Sequence, residues 1–400
     1  MVGRAMCLQT AVLGFLAVMS CSCGGNPPTP TPSVACTAAS TPAFAYVLND
    51  FDNTVSMFTA NSCTGDLSPT TPATVATGAN AFGSETMVVD PAGRFAYVAN
   101  LGSNATDAGT ISMFTVNSST GVLTATTPPT VPTGFLPQGI GIDPLGRFVY
   151  TANSDDNTVS MFTINSSTGV LTPTAPPAVA AGWSPLSVTV DPSGKFAYAT
   201  NQDDDTVSMY TINSSTGILT PTTPGTVQAF GSPFEVTVDP SGKVAYVPNA
   251  YSQPGNYVAQ YTVDSVTGVL TPNTPSFVSA GNSPTSVAVD PSSKFAYVVN
   301  RQDNTVSMFT INPTNGNLTP NSPATIATGA QPWRAAIDPS GSFVYVGNQN
   351  GASLSIFTIN KDGTLTAAGT ATTGNDPVSL AIIGPSSNAA AALSKPASTK

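Results

Sequence analysis

Residues 191–201 read Asp-Pro-Ser-Gly-Lys-Phe-Ala-Tyr-Ala-Thr-Asn, a turn that runs directly into a strand. Asp in the first position, Pro in the second and Gly in the fourth are typical of a type I turn. Residues 187–190, just before the turn, alternate polar and apolar side chains as a half-buried strand does. The stretch therefore predicts a β-hairpin whose second strand begins at Phe196.

The hairpin recurs along the chain. The motif Phe-Ala-Tyr-Val-x-Asn, with small variations, begins at Phe44, Phe95, Phe148, Phe196, Val244, Phe295 and Phe343. Successive copies are 51, 53, 48, 48, 51 and 48 residues apart. Self-similarity at a fixed period of this length is typical of propellers and other repeat proteins. Seven units account for residues 43–384.

Each unit predicts four strands. In the fourth copy, the polar loop 201–205 follows the hairpin, and residues 206–212 form a third strand rich in β-branched and aromatic side chains. A second turn at 213–217 leads to a short fourth strand, 218–220, which we expect to end at Pro221. Proline is tolerated on the edge of a sheet. Four antiparallel strands per unit are typical of a propeller blade.

The two ends of the repeat region complement each other. The first unit lacks an innermost strand, and residues 378–382 form a strand-like segment after the last complete unit. Placing that segment in the first blade closes the ring. The predicted fold is all-β, a seven-bladed β-propeller of four-stranded antiparallel blades in which the C-terminal strand pairs in blade 1.

The composition excludes several classes of function. The 400 residues carry a formal net charge of −10, with 11 basic residues and no histidine. Nucleic-acid binding depends on Lys and Arg, so a nucleic-acid partner is not expected. The absence of histidine removes His-based catalytic triads and His-ligated zinc. The 40% hydrophobic content supports a large core rather than wholesale disorder.

The N-terminal sequence predicts export. Residues 1–20 contain Arg4 and an apolar stretch at 5–19, shorter than the roughly 20 residues of a membrane span. The stretch ends Val-Met-Ser-Cys, which resembles a bacterial lipobox with Cys21 as the lipidated residue. Lipidation at Cys23 is a weaker alternative, and an ordinary cleaved signal with an incidental cysteine is another. We expect an exported protein that is anchored at the cell envelope (outer membrane or periplasm), with the lipid as its only membrane contact. A secreted protein is the other possibility.

The remaining regions follow from composition and cysteine usage. Residues 21–42 form a Pro/Thr-rich tether, 43–384 the propeller, and 385–400 a disordered tail. Cys36 and Cys63 remain after export into an oxidising compartment. Cys63 stands where other units have a different residue, which suggests a Cys36–Cys63 disulfide. Two unrelated thiols are the alternative.

The repeats resemble the seven-bladed lactonase family, which includes 6-phosphogluconolactonase-type propellers, and the surface-protein propellers with Tyr-Val-Thr-Asn repeats. The similarity rests on the Asp-Pro-Ser-Gly-Lys-Phe-Ala-Tyr-Val and Asn-Thr-Val-Ser-Met-Phe-Thr-Ile-Asn strings. Family members that look catalytic carry a Pro-Arg-His-like string before an innermost strand and a Glu after the Tyr-Val-x-Asn string. Here Pro-Trp-Arg stands at 332–334, and Asp50 is the one carboxylate that follows such an Asn.

Charges that depart from the repeat point to one face. The second-to-third-strand loops and the blade-to-blade connections share this side, which we call the variable face; the hairpin turns lie on the opposite turn face. Glu85, Glu235, Arg301 and Arg334 all map to the variable face. Glu235 and Arg334 share one position, where other units carry the small residues Thr86, Gly139, Ser187, Ser286 and Ser379. They lie on blades 5 and 7, so a ligand or water cluster is expected to bridge them.

Aromatic residues join this candidate site. Trp183, Trp333, Phe135 and Phe234 occupy blade-to-blade connections. They could stack on a sugar or another flat ligand, or they could fill the gaps between blades. No cofactor is expected. Calcium is the alternative, because aspartates cluster near residues 50, 155 and 203, although these clusters lack the spacing of a calcium loop.

Two functions remain. The first is a non-catalytic, monomeric binding platform that takes a glycan, peptide or envelope protein on the variable face. The second is a lactone hydrolase of the 6-phosphogluconolactonase type with a diverged, His-free site. Ring opening needs a base and a nearby positive charge. Glu235 or Glu85 is the candidate base, and Arg334 or Arg301 is the candidate positive charge.

Processing can be tested on the mature protein. We expect an N-terminus at Cys21 that carries acyl mass and, after non-reducing digestion, a peptide joining Cys36 to Cys63. Mass spectrometry measures both. An unacylated N-terminus elsewhere would contradict lipidation, and alkylation of both thiols without prior reduction would contradict the disulfide.

Overall fold

The computed structural model describes residues 43–78, 84–102, 107–250 and 256–384, without the side chains of residues 84 and 85. The predicted signal, tether and tail, including Cys21 and Cys36, lie outside the described residues. The lipid anchor and the disulfide to Cys63 therefore stay predictions. The described part of the chain contains no helix with the length and apolar character needed to cross a membrane.

Seven four-stranded antiparallel sheets form the blades. Blade 1 contains β1 (Ala43–Asn49), β2 (Thr54–Ala60), β3 (Leu67–Ala76) and the last strand, β28 (Pro377–Ile383); blade 2 contains β4 (Ser84–Val89), β5 (Phe95–Asn100), β6 (Ala108–Val116) and β7 (Leu123–Phe135). Blade 3 contains β8 (Pro137–Ile142), β9 (Phe148–Asn153), β10 (Thr158–Ile164) and β11 (Leu171–Ala180); blade 4 contains β12 (Pro185–Val190), β13 (Phe196–Asn201), β14 (Thr206–Ile212) and β15 (Leu219–Gln228).

The remaining blades follow the same order. Blade 5 contains β16 (Thr237–Val238), β17 (Val244–Asn249), β18 (Tyr257–Val263) and β19 (Leu270–Ser279); blade 6 contains β20 (Pro284–Val289), β21 (Phe295–Asn300), β22 (Thr305–Ile311) and β23 (Leu318–Ala327). Blade 7 contains β24 (Pro332–Ile337), β25 (Phe343–Asn348), β26 (Ser353–Ile359) and β27 (Leu365–Thr372), with a 3-10 turn at Gln349–Gly351 after β25.

The predicted seven-bladed ring and its closure are confirmed. Strand β28 pairs antiparallel with β1, with Val47 opposite Leu380 and Asn49 opposite Pro377. The last segment of the chain thus supplies the innermost strand that the first unit lacks.

The outer strand is longer than the sequence predicts. We expected the fourth strand to end at Pro221, but β15 continues from Leu219 to Gln228, and Pro221 lies inside it opposite Tyr210. Pairing is interrupted after Pro221 and resumes at Thr226, opposite Ser208. The expectation was wrong because a proline is tolerated on the outermost strand, whose solvent side needs no N–H, so the strand continues beyond the interruption.

The turn aspartate organises each inner hairpin. One carboxylate oxygen of Asp191 accepts the backbone N–H groups of Lys195 and Phe196 at 2.9 and 2.8 Å. The other oxygen accepts the N–H of Ser193 at 3.0 Å. One oxygen likewise accepts the N–H of the first residue of the second strand at Asp90, Asp143, Asp239, Asp290 and Asp338. At Asp90 and Asp143 the other oxygen accepts the Nε–H of Arg94 or Arg147 instead of a turn N–H.

A tyrosine of each second strand ties its blade to the next. Tyr198 donates its hydroxyl to the carbonyl of Gly268 at 2.8 Å, from blade 4 to blade 5. The corresponding bonds join Tyr46 to Gly121, Tyr97 to Gly169, Tyr150 to Gly217, Tyr246 to Gly316, Tyr297 to Gly363 and Tyr345 to Gly65. All seven blade interfaces carry one, including the interface that closes the ring.

Close approach at these interfaces requires glycine. Gly268 has φ +74, a left-handed conformation that glycine adopts without strain, and an added Cβ there would collide with the ring of Phe196. The same Gly therefore accepts the tyrosine bond and receives the aromatic ring of the preceding blade.

Burial raises the pKa of the seven interface tyrosines above that of free tyrosine. The buried, protonated tyrosines contribute fully to the free energy of unfolding below about pH 10. Their contribution is lost as the pH rises further, because the unfolded chain releases protons that the folded chain retains. We expect the urea midpoint to fall steeply above pH 10. Tyr198→Phe should cost about 1–3 kcal/mol at neutral pH, since it leaves the Gly268 carbonyl unpaired.

Urea unfolding at pH 8, 10, 10.5 and 11 measures both effects. Tyr198→Phe should also show a shallower alkaline loss, because one fewer proton is released on unfolding. An unchanged midpoint between pH 8 and pH 11 would contradict the role of the tyrosines.

Candidate functional site

The innermost strands line the central channel with small side chains. At the position shared by Glu235 and Arg334, the other blades carry Thr86, Gly139, Ser187, Ser286 and Ser379, as their register against the second strands shows. Gly139 is required because an added Cβ would lie 2.6 Å from the carbonyl oxygen of Leu186 on the next blade. The innermost strands of blades 3 and 4 therefore approach closely.

Glu235 and Arg334 meet inside this channel. Arg334 Nη1 donates to Glu235 Oε2 at 2.7 Å, from blade 7 to blade 5. Glu235 Oε1 accepts the backbone N–H of Val287 on blade 6 at 2.8 Å and the Thr237 hydroxyl at 3.4 Å. The Glu235 and Arg334 side chains are 10% and 23% exposed. Both carboxylate oxygens are thus engaged in a mostly buried ion pair.

The expectation that a ligand or water cluster must bridge these residues was wrong. Blade 6 carries Ser286 at the same position, so the two long side chains reach past a small one and touch directly. The irregular start of the inner strand of blade 5 also contributes: β16 spans just Thr237–Val238, and Pro233 makes an isolated bridge to Asn249.

An aromatic contact joins the same two blades. Phe234 and Trp333 precede the paired charges in sequence, and their rings pack edge to face with centroids 5.4 Å apart. The guanidinium of Arg301, on blade 6, stacks 4.6 Å from the centroid of the Trp333 ring. We call Phe234, Trp333, Glu235 and Arg334 the plug, because these four side chains join blades 5 and 7 across the channel.

A polar network continues from Arg301 to blade 1. Arg301 Nη2 donates to Gln349 Oε1 at 2.9 Å and to Gln331 Oε1 at 3.4 Å. Asp376, which is 6% exposed, interacts with Gln349 and with the charge of Arg301. Burial raises the pKa of the Asp376 carboxyl, and these two neighbours partly offset the rise. Asp376 Oδ1 has no hydrogen-bond partner among the described residues.

Asp376 was not predicted as a site residue, although its sequence position is unusual. It immediately precedes the proline that opens an innermost strand, a place taken elsewhere by Leu136, Ser184, Ser232, Ser283 and Gln331, all with positive φ. An acidic residue among mostly small or neutral ones was as unusual as Glu235. Aspartate is common in turns, which hid the exception.

Other predicted residues do not join the plug. Trp183 is 66% exposed, and its backbone N–H donates to Asp204 Oδ2 at 2.6 Å. Phe135 ends β7, and its N–H donates to Asp156 Oδ2 at 2.8 Å. Asp50 donates its backbone N–H to the Asp376 carbonyl, which places it beside the polar network. The side chain of Glu85 lies outside the description.

Several aspartates of the variable face stabilise the connections between blades. Asp52, Asp156, Asp204 and Asp303 each accept a backbone N–H from a connection between blades. Over the described ranges, no group of three or more Cys, Asp or Glu side chains is arranged to hold a metal ion. The calcium alternative gains no support from these residues.

The channel leaves limited space beside the ion pair. A cavity of about 200 Å³ is lined by Glu235, Arg334, Thr86, Ser187 and other residues of the innermost strands. Ligand pockets for drug-sized molecules are usually about 300–1,000 Å³. With Glu235 paired, this cavity offers hydroxyl groups and an occupied carboxylate rather than a free base beside a free cation.

Solved structures share this fold. A putative 6-phosphogluconolactonase from Bacteroides uniformis is 20% identical, with a TM-score of 0.70 over 86% of this chain and 100% of that one. One from Bacteroides fragilis is also 20% identical, with a TM-score of 0.70 over 88% and 100%. The periplasmic gluconolactonase of Pseudomonas aeruginosa is 18% identical, with a TM-score of 0.69 over 86% and 100%. Identities this low establish the fold alone.

The chain matches no curated protein. Its sequence does match the family described as lactonase, 7-bladed beta-propeller, over residues 37–184 and 187–382. The match covers nearly all of the described propeller and agrees with the seven four-stranded blades. The chain therefore belongs to the lactonase family of seven-bladed β-propellers.

Proposed function

We propose that this protein is an exported, lipid-anchored propeller that binds a glycan at its variable face and does not hydrolyse lactones. The observation that carries the proposal is the occupied state of Glu235. Its Oε2 is held by Arg334 at 2.7 Å and its Oε1 by the N–H of Val287 at 2.8 Å.

Lactone opening makes demands that this pair does not meet. A general base must accept a proton from water, and a positive group must face the developing oxyanion. Glu235 and Arg334 instead neutralise each other. Releasing them would leave a mostly buried carboxylate and guanidinium unpaired, which costs several kcal/mol for a fully buried pair and less here because Arg334 is 23% exposed.

The surface beside the plug suits a sugar. Trp333 offers an indole that is half-buried, and Arg301, Gln331 and Gln349 surround it with hydrogen-bonding groups. Sugars bind where an apolar ring face lies next to directional polar groups, because they combine C–H faces with hydroxyl edges.

The proposed tether would join the propeller at the start of strand β1. Strand β1 begins on the turn face, since Asn49 at its other end pairs with Pro377 at the start of an innermost strand. A tether that precedes residue 43 would thus attach on the face opposite to the plug.

Binding can be measured directly because the chain has two tryptophans, both on the variable face. We expect soluble peptidoglycan fragments or cello-oligosaccharides to change the tryptophan emission. Trp333→Phe should weaken binding by about threefold to tenfold, since aromatic contacts contribute about 0.5–1.5 kcal/mol. Trp183→Phe is the matched control that keeps the plug intact.

The titration distinguishes the candidate partners. Binding of both probes supports a glycan; binding of the peptide-bearing fragments alone indicates that the peptide is recognised. No change with either probe, or equal binding by the parent and Trp333→Phe, would contradict glycan binding beside the plug.

Lactone hydrolysis is the second candidate, and Asp376 is the observation that favours it. This buried carboxyl has a raised pKa and an oxygen without a partner in the described structure, and it lies near the positive charge of Arg301. We expect D-glucono-1,5-lactone to hydrolyse no faster with the parent protein than in buffer alone. A pH-stat titration of the released acid measures the rate.

Turnover above buffer would overturn the non-catalytic proposal. Two variants would then assign the base. Loss with Asp376→Asn and not with Glu235→Gln would place the reaction in the polar network, and the reverse would place it at the plug.

A further inference from the structure

A groove on the turn face separates blades 5 and 6. It has a volume of about 830 Å³ and is lined by Val244, Lys243, Lys294, Phe295, Ile311 and neighbouring residues. The corresponding spaces at two other interfaces are smaller: about 360 Å³ between blades 4 and 5, and about 180 Å³ between blades 7 and 1. Because the seven interfaces share one design, this difference needs a cause in the side chains.

The first cause is the loss of one aromatic ring. Six second strands begin with Phe, and the ring packs on the turn glycine of the next blade. Blade 5 has Val244 there, which still contacts Gly316 but fills much less space. Phe295 on the facing blade is half-buried, whereas the other five phenylalanines are at most 5% exposed.

The second cause is the residue that precedes the ring. In blades 2 and 3, Arg94 and Arg147 lie over the following Phe ring and donate to Ser166 and Ser214 carbonyls of the next blade. These arginines span the interface. Lys243 and Lys294 do not span theirs: both are exposed, and neither forms an ion pair within the described residues.

We propose that this groove binds an organic anion with an apolar body, such as an aromatic or aliphatic carboxylate or sulfonate. Val244, Val263 and Ile311 provide a buried apolar floor, and the two lysines provide positive charge at the rim. The carboxylate of Asp239 also lines the groove. It is 1% exposed and accepts the N–H groups of Lys243 and Val244 at 2.9 Å, so it is already satisfied by its turn.

The chain supplies matched controls. Val244→Phe restores the residue of the other six blades and should fill the groove. Phe196→Val gives blade 4 the valine that blade 5 has naturally. It should open the smaller space between blades 4 and 5, which Lys195 lines. Lys243→Gln together with Lys294→Gln removes the charge and leaves the apolar floor.

The experiment is a fluorescence titration of the full chain with 8-anilinonaphthalene-1-sulfonate, an aromatic sulfonate. We expect one saturable site in the parent, at least tenfold weaker binding in Val244→Phe, and a second site in Phe196→Val. The lysine variant should bind at least fivefold more weakly and lose most of the salt dependence, since the surface charge is screened within about 10 Å at 0.1 M salt.

Thermal unfolding of each variant ensures that folded proteins are compared, because this dye also binds partly folded chains. Equal binding by the parent and a folded Val244→Phe would overturn the proposal. If Phe196→Val fails to fold, the Val244→Phe and lysine variants still decide. The plug lies on the opposite face, so this outcome does not depend on the glycan titration.

Discussion

The hydrogen bond from a buried tyrosine to the turn glycine of the next blade is the contact on which the ring depends. It occurs at all seven interfaces, with Tyr345 and Gly65 closing the circle. Each bond satisfies a buried hydroxyl and a buried carbonyl that would otherwise be costly to desolvate. It also fixes the distance between blades, since the same glycine receives the ring of the preceding blade's Phe at six interfaces and the side chain of Val244 at the seventh. A blade cannot shift without breaking both contacts.

Such strict repetition confines variation to side chains that leave these contacts intact. Glu235 and Arg334 occupy a position that faces the channel and takes part in no tyrosine–glycine bond. The repeats can therefore carry a charged pair there without altering the blades. The pair then depends on its own geometry: three blades contribute, since Val287 of blade 6 donates to the carboxylate that Arg334 of blade 7 neutralises.

The ring could be predicted from sequence because each unit carries the same turn, the same tyrosine and the same period, and because β28 completes the unit that lacks a strand. The rarity of Glu235, Arg334, Arg301 and Trp333 also identified the candidate site. The direct ion pair could not be predicted, since it depends on how far two long side chains reach past Ser286. The length of the outer strand was missed because Pro221 removes a donor on a side that needs none.

Blade 5 departs from the repeat at more places than the plug. Gln260 replaces the methionine of the third strand, and its Oε1 accepts the N–H of Leu318 at 2.6 Å, a bond that a methionine sulfur accepts at other interfaces. Tyr257 and Ala259 stand where Thr206 and Ser208 of blade 4 hold the Asn that ends the second strand. Asn249 therefore turns to the carbonyl of Val247. Val244 opens the turn face, and Glu235 enters the channel. The tyrosine–glycine bond of Tyr246 is nevertheless kept. Blade 5 thus keeps the contact that holds the ring, which explains how it tolerates changes on both faces.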